Sequence, residues 1–306
     1  MAATPSPAPR SRGGIRAIPK SDKSNARSCH HHRVDVGVVF VDRPEAVIEV
    51  AGGFLSSEPV VNNLILSLLA ERMAYPQAGR YWVATDGRLP LGVALQSPLD
   101  FPAAITPMPA GAVAAVVRAI AGAGVALPGV GGEAGTAALF AGHWAEVTGR
   151  GAVPFGGQRI YELDGVPVPG NAEGHLRRAE SGDCELLLDW MHGFGEDTGE
   201  RHMQEDVLTR RVAAGQFWLW EDNGACSVAA HTAPVGGVTR IQAVFTPPAL
   251  RCRGYAGACV ALLSARLHDA GHRCILYTDL ANPVSNKLYR RIGYRAAIEC
   301  LRYRFG

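Results

Sequence analysis

Two prolines, two arginines and a glycine follow an apolar strand in residues 244–256, VFTPPALRCRGYA. The chemistry these residue types suit is anion binding. Pro247 and Pro248 cannot donate hydrogen bonds and stiffen the exit from the strand. A helix opening within Arg251–Ala256 leaves its first N–H groups unpaired and partly positive, which attracts an anion. Gly254 lets a phosphate approach the backbone because no Cβ stands in the way. Ala256 keeps the first turn slim, and Arg251 and Arg253 can add charge-assisted hydrogen bonds. The alternative is an ordinary solvated basic helix start. Against it, cations at a helix N-terminus are unfavourable without an anion, and that local conflict points to a ligand.

A second block, LYTDLANPVSNKLYRRIGYR (276–295), reads as a strand, a turn and a short helix. Asn282 before Pro283 is a good N-cap with Pro at N1. Tyr289 sits between Leu288 and Ile292, which a helix here would bury.

The elements that position these blocks recur along the chain. A strand at 34–41, a helix over 60–74, a hairpin over 80–98 turning at Asp86-Gly87, a strand at 101–109, helices over 110–124 and 135–149, and a strand after 157 make up a first half. From about Asn171 the order begins again, with a hairpin turning at Asp222-Asn223-Gly224 and a helix over 257–271. A few residues match: Trp82 with Trp218, Gly87 with Gly224, Pro98 with Pro234, Thr106-Pro107 with Thr246-Pro247. Two unrelated α/β domains are the alternative. The expected fold class is α/β, with a basic tail at 1–33, a first domain at 34–170 and a second at 171–306. After Thr106-Pro107 the first half continues MPAGAVAAVV and lacks the Arg251–Gly254 insert, so anion binding is expected of the second half alone.

Composition sets outer bounds. Hydrophobic residues make up 47% and charged residues 19%, the balance of a globular protein with a substantial core. The net charge of +2 carries no nucleic-acid signature. It hides an asymmetry: residues 1–33 hold seven basic residues against Asp22 alone, +6 there and −4 elsewhere. That tail reads as an unstructured leader or a misplaced start of translation, with an organelle transit peptide as the alternative. Seven cysteines without a CxxC pair suit reduced thiols in a cytoplasm. CHHH at 29–32 has no second ligand cluster, so no metal site is expected. No apolar run reaches membrane-spanning length, and no membrane partner is expected; an oligomer stays open.

Arg251-x-x-Gly254-x-Ala256 resembles the acyl-CoA pyrophosphate loop of the GNAT superfamily of N-acetyltransferases, and 276–295 is similar to that family's later Asn, Leu-Tyr, Gly-Tyr segment. The likeness covers 174–306 in residues and the first half in element order only. A dinucleotide-binding fold fits poorly, since no G-x-G-x-x-G follows a first strand. The resemblance implies tandem GNAT-like domains with mixed, mostly antiparallel sheets, the first degenerate and the second catalytic. It implies acetyl-CoA as co-substrate and a small-molecule or peptide amine as acceptor. Val244, Phe245 and Thr246 would offer backbone groups to the pantetheine arm. Arg251, Cys252, Arg253, Gly254, Tyr255 and Ala256 would hold the pyrophosphate. Asn282, Ser285 and Asn286 would lie near the cofactor, Asn282 equally as a cap. Tyr289 would be the general acid that protonates the leaving thiolate, with core packing as its other role. Some members carry a glutamate base on the strand before the loop; TRIQAVF has none. Glu196, Asp197 and Glu200, expected in the loop after the helix begun at 183, and Glu221 and His231 on the hairpin are the candidates, each also an ordinary surface residue. Phe217, Trp218 and Trp220 would line the acceptor pocket or form core. A non-catalytic acyl-CoA sensor, or an enzyme for a longer acyl group, are the other readings. The acceptor itself is not legible.

Overall fold

A computed structural model describes residues 36–306; the basic tail and Cys29–His32 lie outside the described residues. The first half contains β1 (Gly37–Val41), α1 (Pro44–Ser57), α2 (Asn63–Ala74), β2 (Arg80–Thr85), β3 (Pro90–Gln96), β4 (Ala103–Ile105), α3 (Ala110–Gly122), β5 (Gly129–Glu133), α4 (Ala134–Thr148) and β6 (Ala152–Leu163). The second contains β7 (His175–Arg178), α5 (Cys184–Thr198), α6 (Glu205–Ala213), β8 (Phe217–Glu221), β9 (Ala225–His231), β10 (Val238–Phe245), α7 (Tyr255–Asp269), β11 (Arg273–Asp279), α8 (Pro283–Ile292) and β12 (Tyr294–Phe305). The fold class is α/β with a mostly antiparallel sheet, as expected; the parallel pairs are β4–β5 and β10–β11.

Local chemistry accounts for most boundaries. The hairpins turn where glycine or asparagine accepts a left-handed backbone, at Gly87 and at Asn223-Gly224. Asn282 caps α8 by accepting from the Ser285 N–H at 3.0 Å, with Pro283 at N1. Helix α1 is absent from the sequence reading. Its signal is Pro44 at N1 with Val47, Ala51 and Leu55 buried at four-residue spacing. The segment DCELLLDWMHGFGEDTG is helix to Thr198, so Glu196 and Asp197 stand in the last turn of α5 rather than in a loop. The αL residue Gly199 ends it.

Strand order was beyond the sequence. All twelve strands join one sheet, β1-β2-β3-β4-β5-β12-β6-β11-β10-β9-β8-β7. The last strand of each half sits in the other half's sheet: β6 pairs with β11, and β12 pairs with β5. The two exchanged strands also pair with each other along nearly their whole length, Tyr294 opposite Leu163 through Phe305 opposite Ala152. A division at residue 170 therefore separates the chain between elements, while the sheet runs on unbroken.

The exchange brings first-half side chains to the second half. Tyr161 of β6 is fully buried in the cluster under α7 and α8, and its hydroxyl donates to Asn286 Oδ1 at 3.0 Å. Val60 packs with Ile160, Val238 and Ile275 on the opposite face, carrying the start of α2 over β10 and β11. Replacing Tyr161 by Phe leaves the buried Asn286 oxygen without its donor. Such a loss costs about 1–3 kcal/mol, expected as a fall of a few degrees in the thermal midpoint.

Candidate functional site

Parallel strands β10 and β11 pair from Val238 opposite Arg273 to Ile241 opposite Leu276, and no further. Beyond that point Gln242–Phe245 has no partner on the β11 side, whereas β11 keeps its outer pairing with β6 to Asp279. A bulge against β9 lies between Gln242 and Phe245, and Ala243 inside it takes φ +51. A non-glycine residue there is strained by about 1–2 kcal/mol, and bulges of this kind re-aim a strand. The result is a slot between two parting strands, open along Val244, Phe245 and Thr246.

Side chains already engage part of that edge. Ser227 Oγ, fully buried, donates to the Phe245 carbonyl at 3.0 Å and lies 2.9 Å from Thr246 Oγ1. Arg251 Nε donates to the Thr246 carbonyl at 2.9 Å. Its Nη2 reaches Asp197 Oδ2 at 2.5 Å, so Arg251 ties the loop to the end of α5. Both partners are half-exposed, which makes the pair weak in energy and useful chiefly as a positioner.

Helix α7 opens at Tyr255, with Gly254 as its N-cap at φ +86 and Cys252 before it at φ +64. No side chain caps this end, so the first-turn N–H groups lack a side-chain partner. Arg253 is exposed beside them and has no carboxylate partner among the described residues. The Tyr255 side chain is buried, and its hydroxyl donates to Asp222 Oδ2 at 2.7 Å; that carboxylate, then burial, push the phenol above its ordinary value. Tyr255 can therefore offer an anion its backbone only. Glycine is needed at 254 for the left-handed backbone, since a Cβ there would meet only Ala172 at 3.6 Å.

On the other side of the slot stands α8. Tyr289 is 7% exposed, rests edge-on against Tyr294 at 6.2 Å, and its hydroxyl makes no hydrogen bond among the described residues. Burial pushes its phenol up to about 12, so it keeps its proton at any ordinary pH. Asn286 is buried and committed internally: Nδ2 donates to the Asp279 and Asn282 carbonyls at 2.8 and 2.6 Å, and Oδ1 accepts from Tyr161. Ser285 is half-buried in the first turn of α8.

The base candidates disperse. Asp197 is held by Arg251, and Glu221 by Arg177 at 2.8 Å. His231 is half-buried between the Thr232 and Gly215 carbonyls, and burial lowers its pKa. Glu196 and Glu200 are exposed. Trp220 and Trp218 belong to the α7-side cluster and Phe217 to the α5-side core, so all three aromatics serve as core rather than as pocket lining. Sequence reasoning passed over Arg211, Gln242 and Tyr277, which gather where the strands part. Their signal is alternation: Val238, Arg240 and Gln242 fall on one face of β10.

The first half has no such slot. Strand β4 stays paired to its last residue, Ile105 opposite Gly132. Only residues 107–109 separate Thr106 from α3, where 247–254 separate Thr246 from α7. Met108 fills the space instead: a Cβ on Gly92 would come within 2.6 Å of it.

Solved structures share this fold across both halves. An acetyltransferase of the GNAT family from Colwellia psychrerythraea has TM-score 0.60 and 10% identity, over 88% of this chain and 100% of its own. A Drosophila protein has TM-score 0.62 and 14% identity, over 88% and 99%. A GCN5-related N-acetyltransferase from Sphaerobacter thermophilus has TM-score 0.58 and 14% identity, over 87% and 95%. At such identities the likeness establishes the fold. Residues 227–303, from β9 into β12 and including the loop and Tyr289, match the model of the FR47-like protein family. The chain thus shares the fold of these solved acetyltransferases, and the FR47-like segment lies in its second half. No curated protein matches the chain. Among the described residues no helix is long and apolar enough to cross a membrane.

Proposed function

We infer that the protein is an acetyl-CoA-dependent N-acetyltransferase, acting through its second half on a primary amine. The observation that carries this reading is the slot between β10 and β11, bounded by the uncapped start of α7 at one end and by a protonated Tyr289 on one wall. The N–H groups after Gly254, with Arg253, suit the pyrophosphate. The unpaired edge of β10 suits an extended amide-bearing arm that adds to it as a strand does.

The amine, having lost its ammonium proton to water, attacks the thioester carbonyl carbon. A C–N bond forms, the C–S bond breaks, and the thiolate takes the Tyr289 proton. The nitrogen releases one proton, which restores the phenol. A cytoplasmic setting is part of this reading; the cysteines among the described residues are all free thiols.

A second reading, a non-catalytic acyl-CoA sensor, draws on one observation: β10 has no carboxylate, and Arg240 and Gln242 stand on its face. Release of free CoA, followed with a thiol reagent across a panel of amines, separates the two. Turnover with any amine establishes the enzyme. CoA binding by calorimetry without turnover establishes the sensor.

A further inference from the structure

The face of the sheet away from α7 is cationic where β10 and β11 part. Val238, Ile275 and Tyr277 pack on that face, while Ile241, Cys274 and Leu276 pack under α7. By alternation Arg240 and Gln242 belong to the first set. Arg240 pairs with Ile275, one position before the last rung, and its guanidinium lies over the Tyr277 ring at 5.0 Å.

Arg211 comes in from α6. Its Nε donates to Gln216 Oε1 at 2.8 Å and its Nη2 to the His231 carbonyl at 3.2 Å. With the Gln242 amide turned oxygen-inward, both Nη atoms donate to it, at 2.5 and 3.1 Å. Every one of these partners is neutral. Burial, and next the Arg240 charge, pull the Arg211 pKa down to about 10. Arg210 stacks on Tyr75 at 3.6 Å and comes within 4.0 Å of Glu71, a carboxylate it shares with Arg72 at 3.8 Å. Among the described residues, Arg211 and Arg240 have no carboxylate within ion-pair distance. Glu71 is the nearby carboxylate that acts on Arg211, but it contacts Arg210 and Arg72 instead; two cations held near each other in a half-buried place without an ion pair of their own are costly unless a ligand supplies an anion.

We propose that the acceptor is an amine that also carries a carboxylate, the carboxylate being held by Arg211 and Arg240 while the amino group faces the parting of the strands. This rests on the acetyltransferase reading. A guanidinium fork matches a carboxylate bidentately. The first half contributes the wall, through Glu71 and Tyr75, which gives it a part in shaping the acceptor site.

The test uses the full chain, CoA, and matched pairs of compounds. Turnover is compared for a panel of amino acids and for the same amines without the carboxylate. Binding is measured separately by calorimetry, with N-acetyl amino acids and their methylamides as product-like probes. The amino acids should show a KM at least 10-fold lower, and the carboxylate probes should bind at least 10-fold more tightly. Arg240→Met, whose parent guanidinium lies over the Tyr277 ring without an ion pair among the described residues, should remove both preferences and leave CoA affinity and the thermal midpoint unchanged. Arg211→Met should do the same, with CoA affinity as the check that it folds.

Equal use of both members of each pair overturns the proposal, as does a preference for phosphoethanolamine over every carboxylate. Preferences that survive Arg240→Met overturn it as well. If no acceptor is turned over but carboxylate-selective binding is lost in Arg240→Met, the anion site stands and the acetyltransferase reading falls.

Discussion

Gly254→Glu is expected to weaken CoA binding at least 100-fold while the protein stays folded. Two effects combine at this position and can be separated. Gly254 holds φ +86 as the N-cap of α7, where any side chain costs about 1–2 kcal/mol. Gly254→Ala carries that strain alone, because the nearest atom to the new Cβ is Ala172 Cβ at 3.6 Å, an ordinary contact. The glutamate adds a like charge where the pyrophosphate would sit, and such a juxtaposition costs several kcal/mol, hence the 100-fold figure. Calorimetry with CoA and a thermal melt of both variants give the comparison. A glutamate variant that binds CoA like the parent would remove the loop from the site.

Tyr289→Phe is expected to lower kcat by about 10²–10⁴-fold, the usual worth of a positioned general acid, with little change in CoA affinity. The phenol is pushed up to about 12 by burial, so it remains a proton donor from pH 6 to pH 10. The parent kcat should therefore rise with pH as the amine deprotonates and show no alkaline fall from this group below about pH 10. Folding stability follows the same shift: the folded phenol holds its proton more tightly than the unfolded one, so its contribution is complete below the unfolded value of about 10 and is lost as pH rises towards 12. Loss of stability without loss of kcat in Tyr289→Phe would make Tyr289 a core residue and no more.

Much of the site was legible because its signals are local. The strand exit, the glycine at 254, the Asn282-Pro283 cap and the hairpin turns each follow from the conformational limits of one or two residues. The comparison of 106–109 with 246–254 likewise foretold which half carries the slot, since a missing segment is visible in the chain itself. Other expectations needed neighbours that sequence does not name. Trp218 and Trp220 are core because α7 covers them, and Arg251 is drawn towards Asp197, 54 residues away. Asn286 spends its amide on Tyr161 and two carbonyls, which its place in a helix motif could not disclose.

The sequence by itself determined the α/β class, the doubled order of elements and the place of the proline-stiffened strand exit and glycine-opened helix, because backbone limits and hydrophobic period act between near neighbours. Only the tertiary structure decided that β6 and β12 change places, that the first half reaches over β10 and β11, and that Arg211 comes to Gln242 beside Arg240 with no ion pair of its own. Those outcomes depend on which strand edges and charged side chains come together across long stretches of chain. No local preference encodes that choice; it is settled by the pairing and burial of the whole sheet.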